Sequence, residues 1–364
     1  MSISSRVTDQ LKKHFPDWNA QRVECFSLMI VALLRGGSVS LPKLGQRFGN
    51  DAQWLSNVRR MNRLLKEQRI DYHAFGMLLL SLCDKDNRRC FQVTIDRTNW
   101  QYGERHINYL VIGIVVGDVS VPIVWQMLPK KGTSNTMERT RILQRFLKIV
   151  PAERISVFLA DREFIGQAWF EVLQEKKVPF IIRLKLNNLI GISTLGLQDI
   201  TQLSAPLKKN ESLTIDRCTV FGVPVHVKIK RCANGELLIV AYDHYHCACP
   251  VKIYRKRWTI ETCFKCFKTA GFRLEDTHIT HLRRLKKLLC VVLIAFIWSL
   301  IVGYKKHKYK PIAVKNHNRK AISFFALGKN HLTQMLSKQH YHTKSLTPLV
   351  NTLFRGSQYL HNVS

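Results

Sequence analysis

The stretch "CFQVTIDRTNWQYG", Cys90–Gly103, marks a change in the texture of the chain. Ahead of it, apolar residues recur at helical spacing, whereas from here β-branched and aromatic residues run together. Two similar runs follow, "INYLVIGIVVGD" (107–118) and "SVPIVWQMLP" (120–129), with glycine, aspartate and charged breaks between them. Three consecutive strands are predicted. Then come a helix in "TMERTRILQRFLKIV" (136–150), a strand in "ISVFLAD" (155–161), a helix in "GQAWFEVLQEKK" (166–177) and a strand in "PFIIRLK" (179–185). A meander followed by alternating helices and strands predicts an α/β fold, a mixed sheet covered by helices.

Outward from this core, residues 187–243 return to short strand-like runs such as "SLTIDRCTVFG" and "VPVHVKIKRC", read as a β-rich insertion spanning 187–250. Residues 1–88 read as an all-α N-terminal domain, with helical periodicity in "VECFSLMIVALL" and "QWLSNVRRMNRLL". Between these, "RGGSVSLPKLGQRFG" supplies glycine breaks and Ser40 as a possible cap. The outline is helix-turn-helix-like, with Arg59, Arg60 and Arg63 on the second helix for DNA. The core is expected to resume over 251–304, and 305–364 reads as a basic C-terminal helical region. Inside the 251–304 segment, "LLCVVLIAFIWSLIVG", Leu288–Gly303, is shorter than the roughly 20 residues a bilayer span needs, so a buried helix is expected.

Lysine and arginine number 57 against 25 acids, a formal charge of +32 spread along the chain. Neutralising phosphates releases condensed counterions, so a polyanion is the natural partner. The N-terminus lacks the apolar core of a secretory signal, so a cytoplasmic protein with no membrane partner is expected. Ten cysteines without a framework spacing read as reduced thiols. "HYHCAC", His244–Cys249, with Cys263 and Cys266 could assemble four zinc ligands, but the spacings match no common arrangement and no zinc site is expected.

In so basic a chain, carboxylates that end apolar strands stand out: Asp96 in "VTID" and Asp161 in "VFLAD". A half-buried acid is costly unless it is paired or metal-bound, although a turn aspartate just past a strand is the ordinary alternative. A third acid lies in "YRKRWTIETCFKCFK", Tyr254–Lys268. On a helix, Tyr254, Arg257, Glu261 and Lys268 fall within roughly 60° of one another, with Lys265 close by. Ile260, Cys263, Phe264 and Phe267 form a neighbouring apolar arc that would anchor such a helix. Taken alone, the polar stripe reads most economically as a solvated face with an Arg257–Glu261 pair. Three carboxylates, two from strands and one from a helix, can hold two hard divalent cations for in-line attack on a phosphodiester. Arg257, Lys268 and Lys265 would then grip DNA phosphates, and Tyr254 would hydrogen-bond or stack.

The spacing Tyr254-x2-Arg257-x3-Glu261-x6-Lys268 resembles the signature of bacterial transposases of the insertion sequence four family, relatives of the transposon-five and transposon-ten enzymes. "TIDRTNW" and "LADREFIG" resemble that family's two catalytic-aspartate motifs, and "LEDTHIT" is similar to the segment after its signature helix. The resemblance covers roughly residues 90–285. It implies an RNase H-like core with a β-strand insertion, and a DDE transposase using two Mg²⁺ ions, replaceable by Mn²⁺. Asp96, Asp161 and Glu261 would be the catalytic metal ligands; Tyr254, Arg257, Lys268 and Lys265 would contact DNA. It further implies double-stranded DNA as partner, both transposon terminal inverted repeats and target, bound by a homodimer that pairs two ends. A hairpin intermediate would need an aromatic for a flipped base, for which Trp100 and Trp125 are candidates. A metal-dependent RNase H-like nuclease and a non-catalytic repressor derived from a transposase are the alternatives.

Overall fold

The computed structural model describes residues 2–84, 89–243, 248–316, 318–337 and 343–360. Five helices open the chain: α1 Ile3–His14, α2 Ala20–Gly36, α3 Leu41–Gly45, α4 Trp54–Glu67 and α5 Tyr72–Cys83. The three predicted strands follow as β1 Phe91–Tyr102, β2 Arg105–Val116 and β3 Val119–Met127. The alternating segment gives α6 Thr136–Leu147, β4 Ile155–Ala160, α7 Gln167–Glu175 and β5 Phe180–Arg183. Next come β6 Leu189–Ile192, β7 Gly196–Asp199, α8 Ile200–Ser204, β8 Ser212–Val220, β9 Val223–Arg231 and β10 Leu237–Tyr242. The helices α9 Pro250–Tyr254, α10 Trp258–Phe267, α11 Leu282–Tyr309, α12 Phe324–Ser337 and α13 Thr343–Arg355 complete the elements.

All ten strands form one sheet in the order β3-β2-β1-β4-β5-β10-β9-β8-β6-β7. The pairs β1–β4 and β4–β5 are parallel, as strands joined through crossover helices must be. From β5 outward the pairing turns antiparallel, beginning with β10 on β5 and β9 on β10. The strands expected to make a separate insertion domain over 187–250 therefore build no sheet of their own. The reason is the free edge of β5, whose backbone groups need partners and obtain them from β10.

The chain divides into two compact units. Unit 2 comprises Arg89–Thr98 and Tyr109–Thr262, and holds most of the sheet. Unit 1 joins Met1–Arg88, Asn99–Asn108 and Cys263–Ser364, so the N-terminal and C-terminal helices share one core instead of forming the two flanking regions expected. Helices α2 and α11 explain this. Each is buried nearly all round, which a helix achieves only when other helices cover every side. Both α11 and α12 pack on α2. Where α11 meets α12, Gly303 and Gly328 allow the backbones to touch; a Cβ at Gly328 would lie 1.8 Å from the Ser299 carbonyl oxygen. The apolar stretch 288–303 sits inside the 28-residue α11, long and apolar enough to cross a membrane, but 89% of its most apolar window is buried within the protein. That is the signature of a core helix.

In unit 1, α3 and α4 follow α2 as the helix-turn-helix-like reading expected. Arg59 and Arg63 are exposed while Arg60 is engaged with Glu24 at 2.9 Å. Ser40 precedes α3 but makes no side-chain cap hydrogen bond. His244–Cys247, most of the considered zinc motif, lie outside the described residues.

Candidate active site

Strand register builds the site. Parallel pairing matches Ile95 on β1 with Ala160, the last residue of β4, so Asp96 on β1 and Asp161 just past the end of β4 follow the last matched pair on adjacent strands. Each aspartate folds back to accept the following backbone N–H, Arg97 at 2.7 Å and Arg162 at 2.8 Å. Below them, Val157 and Leu159 of β4, Ile181 of β5 and Val240 and Tyr242 of β10 make an apolar platform. Val251 and Tyr254 of α9 pack onto it, and this contact sets where the following residues point.

The segment 254–268 is not the one continuous helix its spacing suggested. α9 ends at Tyr254, Arg255–Arg257 form a tight 3₁₀ turn, and α10 begins at Trp258. A 3₁₀ turn winds faster than an α-helix, so residues on either side change their relative angle. The apolar arc holds: Ile260, Cys263, Phe264 and Phe267 are all buried. The polar stripe does something other than face solvent.

Arg257 is only 1% exposed and Tyr254 4%. Arg257 donates from Nη1 to Asp96 Oδ2 at 3.2 Å and from Nη2 to Glu261 Oε1 at 2.5 Å. The Tyr254 hydroxyl donates to Asp161 Oδ1 at 3.3 Å. One guanidinium thus joins the strand aspartate to the helix glutamate, and the tyrosine holds the second aspartate. Glu261 keeps half of its side chain in solvent, and the ring of the exposed Trp258 lies 4.4 Å from the Arg257 guanidinium carbon. Tyr254 and Arg257, both expected to contact DNA, are buried here with their polar ends directed at carboxylates. Lys265 is exposed, whereas Lys268 is taken up by Glu275 at 2.9 Å and the Asn99 carbonyl at 2.8 Å. Trp100 and Trp125, the hairpin candidates, are both buried and present no face to a base.

A second scaffold, which sequence reasoning passed over, supports the aspartates. Arg97 makes two hydrogen bonds to Glu163, at 3.1 and 2.9 Å, a bidentate link between the residues just beyond Asp96 and Asp161. Arg139 of α6, itself buried, donates to the Glu163 and Ser134 carbonyls at 2.7 and 2.6 Å and lies over the Phe164 ring. The signal was present in the quoted motifs, since both carry Asp-Arg and the second adds an acid two residues on.

The electrostatics follow from burial. Burial is the largest influence on Asp96 and raises its carboxyl from an ordinary 3.8 to about 7, against the opposing pull of the Arg97 N–H and Arg257 and with help from Glu163 and Asp161. Burial pushes the Tyr254 phenol up as well. Arg257 is pushed down by burial, but Tyr254, Asp161, Glu261 and Asp96 together outweigh that and hold it charged. One buried cation is shared between Asp96 and Glu261, and its pull on Asp96 is smaller than the effect of burial. Asp96 is the one left short.

Among the described residues no three acidic, histidine or cysteine side chains are placed to hold a metal ion together. Asp96 and Glu261 are instead turned onto Arg257. The donor set itself, three carboxylates with one under-compensated, has the hard-oxygen chemistry that a divalent cation takes.

The sequence matches the family described as the Transposase DDE domain over residues 88–298, more than half of the chain. The chain belongs to that family. All three carboxylates fall within the matched span. No curated protein matches it. Among solved structures, a piggyBac transposase synaptic complex with hairpin DNA, seen by cryo-EM, is similar at 11% identity and a TM-score of 0.44, covering 91% of this chain and 85% of that one.

For this DDE-domain protein the Asp96 environment has a measurable consequence. A carboxyl whose folded pKa lies above its unfolded value favours folding when protonated, and that contribution is lost as pH rises through the folded pKa. With Asp96 at about 7, the metal-free protein should lose roughly 2 kcal/mol between pH 5.5 and 7.5 through this residue alone. Asp96→Asn should remove that slope and melt higher than the parent at pH 8 in chelator. Denaturant titrations of both proteins at the two pH values check it; parallel pH profiles would sink it.

Proposed function

We propose that this protein is a cut-and-paste transposase of the insertion sequence four type, acting on DNA in the bacterial cytoplasm as part of the nucleoid. The observation that carries the reading is the register that sets Asp96 beside Asp161, with Glu261 joined to Asp96 through one buried arginine. The order β3-β2-β1-β4-β5, with an antiparallel first pair and parallel central pairs, supports an RNase H-like core.

Asp96, Asp161 and Glu261 would hold divalent metal, Mg²⁺ or Mn²⁺ and in the full reading two ions, which when bound supplies charge neutralisation at the phosphodiester and a more acidic attacking hydroxyl. The chain's own residues fix where those carboxylates can go. Arg257 and Tyr254 hold them from the buried side, leaving the exposed half of Glu261 toward solvent. The substrate would be double-stranded DNA, terminal inverted repeats and target, and two ends would be paired by a homodimer.

The direct test supplies the wild-type protein, Mg²⁺, a duplex carrying the inverted repeats that flank its gene with a free 3′-hydroxyl, and supercoiled plasmid. Joined product is expected. Cleavage without joining would leave the nuclease reading, and binding without either reaction the repressor reading.

A further inference from the structure

We propose that a cavity in the helical unit, at the turn between α2 and α3, seats a backbone phosphate of a DNA strand. This rests on the DNA-processing reading and adds a site outside the carboxylate cluster. The cavity measures about 340 Å³ and is ringed by Lys43, Arg47, Arg273 and Lys329, with Gly37 and Gly271 in its wall. The sequence stretch "RGGSVSLPKLGQRFG" supplies two of the four cations and one of the glycines. A backbone hydrogen bond from Val39 N–H to the Phe272 carbonyl, 3.0 Å, fastens this turn to the segment after α10 that carries Arg273.

Charge decides against a purely structural role for the four cations. Asp276 is the only carboxylate within ion-pair range of any of them among the described residues, at 4.0 Å from both Lys43 and Arg273. The C-terminal end of α2 at Gly36 and the residues just after α10, Thr269 and Ala270, also line the cavity, and a helix C-terminus carries about half an elementary negative charge. Subtracting one carboxylate and about one charge of helix dipole leaves close to two positive charges without a partner. A phosphodiester or phosphate carries the charge that is missing.

Three local features agree. Gly37 adopts φ +62°, and a Cβ there would come within 3.0 Å of Lys329 Nζ, so the small residue keeps that ammonium in place. Lys329 is bonded to the Gly271 carbonyl at 2.8 Å, and burial followed by repulsion from Arg273 weakens its hold on its proton. An anion would relieve both. Arg273 itself sits at φ +52°, a conformation glycine takes more cheaply, so the backbone bears strain at a residue that places a guanidinium at the rim. The Lys43 and Arg273 side chains are more than half exposed, which lets them meet a phosphate on a long polymer lying across the surface.

The experiment uses the full-length protein, a fluorescent duplex and anisotropy at a series of salt concentrations. Lys43→Gln and Arg273→Gln should each lower the slope of log affinity against log salt by about 0.9, one phosphate contact, and the pair together by no more than about twice that. Lys176→Gln, a basic residue beside Glu175 elsewhere on the surface, should leave the slope unchanged. In parallel, inorganic phosphate replaces chloride at constant ionic strength while the melting midpoint is followed. A slope unchanged in both pocket variants overturns the proposal; if phosphate still raises the wild-type midpoint more than that of the variants, the pocket takes free phosphate and not DNA. Failure here with end joining intact leaves the transposase reading standing, whereas joining that fails while the slope responds removes that reading and keeps the phosphate seat.

Discussion

Replacing Arg257 with alanine should lower stability by about 3 kcal/mol or more and leave the salt dependence of DNA binding at its wild-type slope. Its surroundings are the cause. The guanidinium is buried, bonded to Asp96 and Glu261, and its net charge is sustained by several anions. Removing one partner of a buried ion pair leaves the other charge dehydrated and alone, and such truncations cost about 3–5 kcal/mol. Above pH 7, where Asp96 is ionised, this carboxylate with only 16% of its side chain exposed bears the loss, whereas half-exposed Glu261 can turn to water. A phosphate contact would give the opposite pattern, a small change in stability and a slope lower by about 0.9. Arg257→Lys sharpens the comparison. A single ammonium keeps the charge but cannot span two carboxylates in the fork geometry of arginine. Its stability should fall between wild type and alanine, and cleavage should still drop. Denaturant unfolding with anisotropy on the same preparations checks both variants. A loss under about 1 kcal/mol with a flattened slope would return Arg257 to the DNA surface.

Much of this architecture was legible because it depends on local pattern. Runs such as 91–102 and 107–116 announce strands by composition alone, and Asp96 and Asp161 were found because acids at the ends of apolar strands conflict with their surroundings. The apolar arc of Ile260, Phe264 and Phe267 was likewise readable from period. Features that depend on pairing across distance escaped. That β10 would dock on β5, and so merge the expected insertion with the core sheet, is a statement about which free edge meets which strand. Arg257 illustrates the same limit. Its place beside Glu261 follows from spacing, but whether its face points to solvent or to Asp96 is set by a 3₁₀ turn and by Tyr254 packing on β4, β5 and β10. Arg139, a residue of α6 that holds the loop after Asp161, carries no local mark at all.

Asp161→Asn should reduce strand cleavage by on the order of 1,000-fold, roughly 4 kcal/mol of barrier, with folding stability and DNA affinity close to wild type. The substitution is nearly isosteric. Its amide oxygen can still accept from the Arg162 N–H and from the Tyr254 hydroxyl, so the contacts that order the strand end survive. The negative charge is lost, and under the proposed function, in which Asp161 would hold metal at a phosphodiester, the reaction cannot do without it. Glu261→Gln should behave alike in cleavage, because its amide can still accept from Arg257. The third carboxylate separates catalysis from architecture. Asp96→Asn should be equally inactive yet more stable above pH 7, since burial makes the neutral form the favoured one at that position. Three inactive variants, of which one alone gains stability, is a pattern that general damage to the fold does not produce. Quantitative cleavage of end-labelled duplex in Mg²⁺, paired with melting curves at pH 8 in chelator, reads it directly. Cleavage by Asp161→Asn within tenfold of wild type would remove that carboxylate from the chemistry and, with it, the reason its register against Asp96 matters.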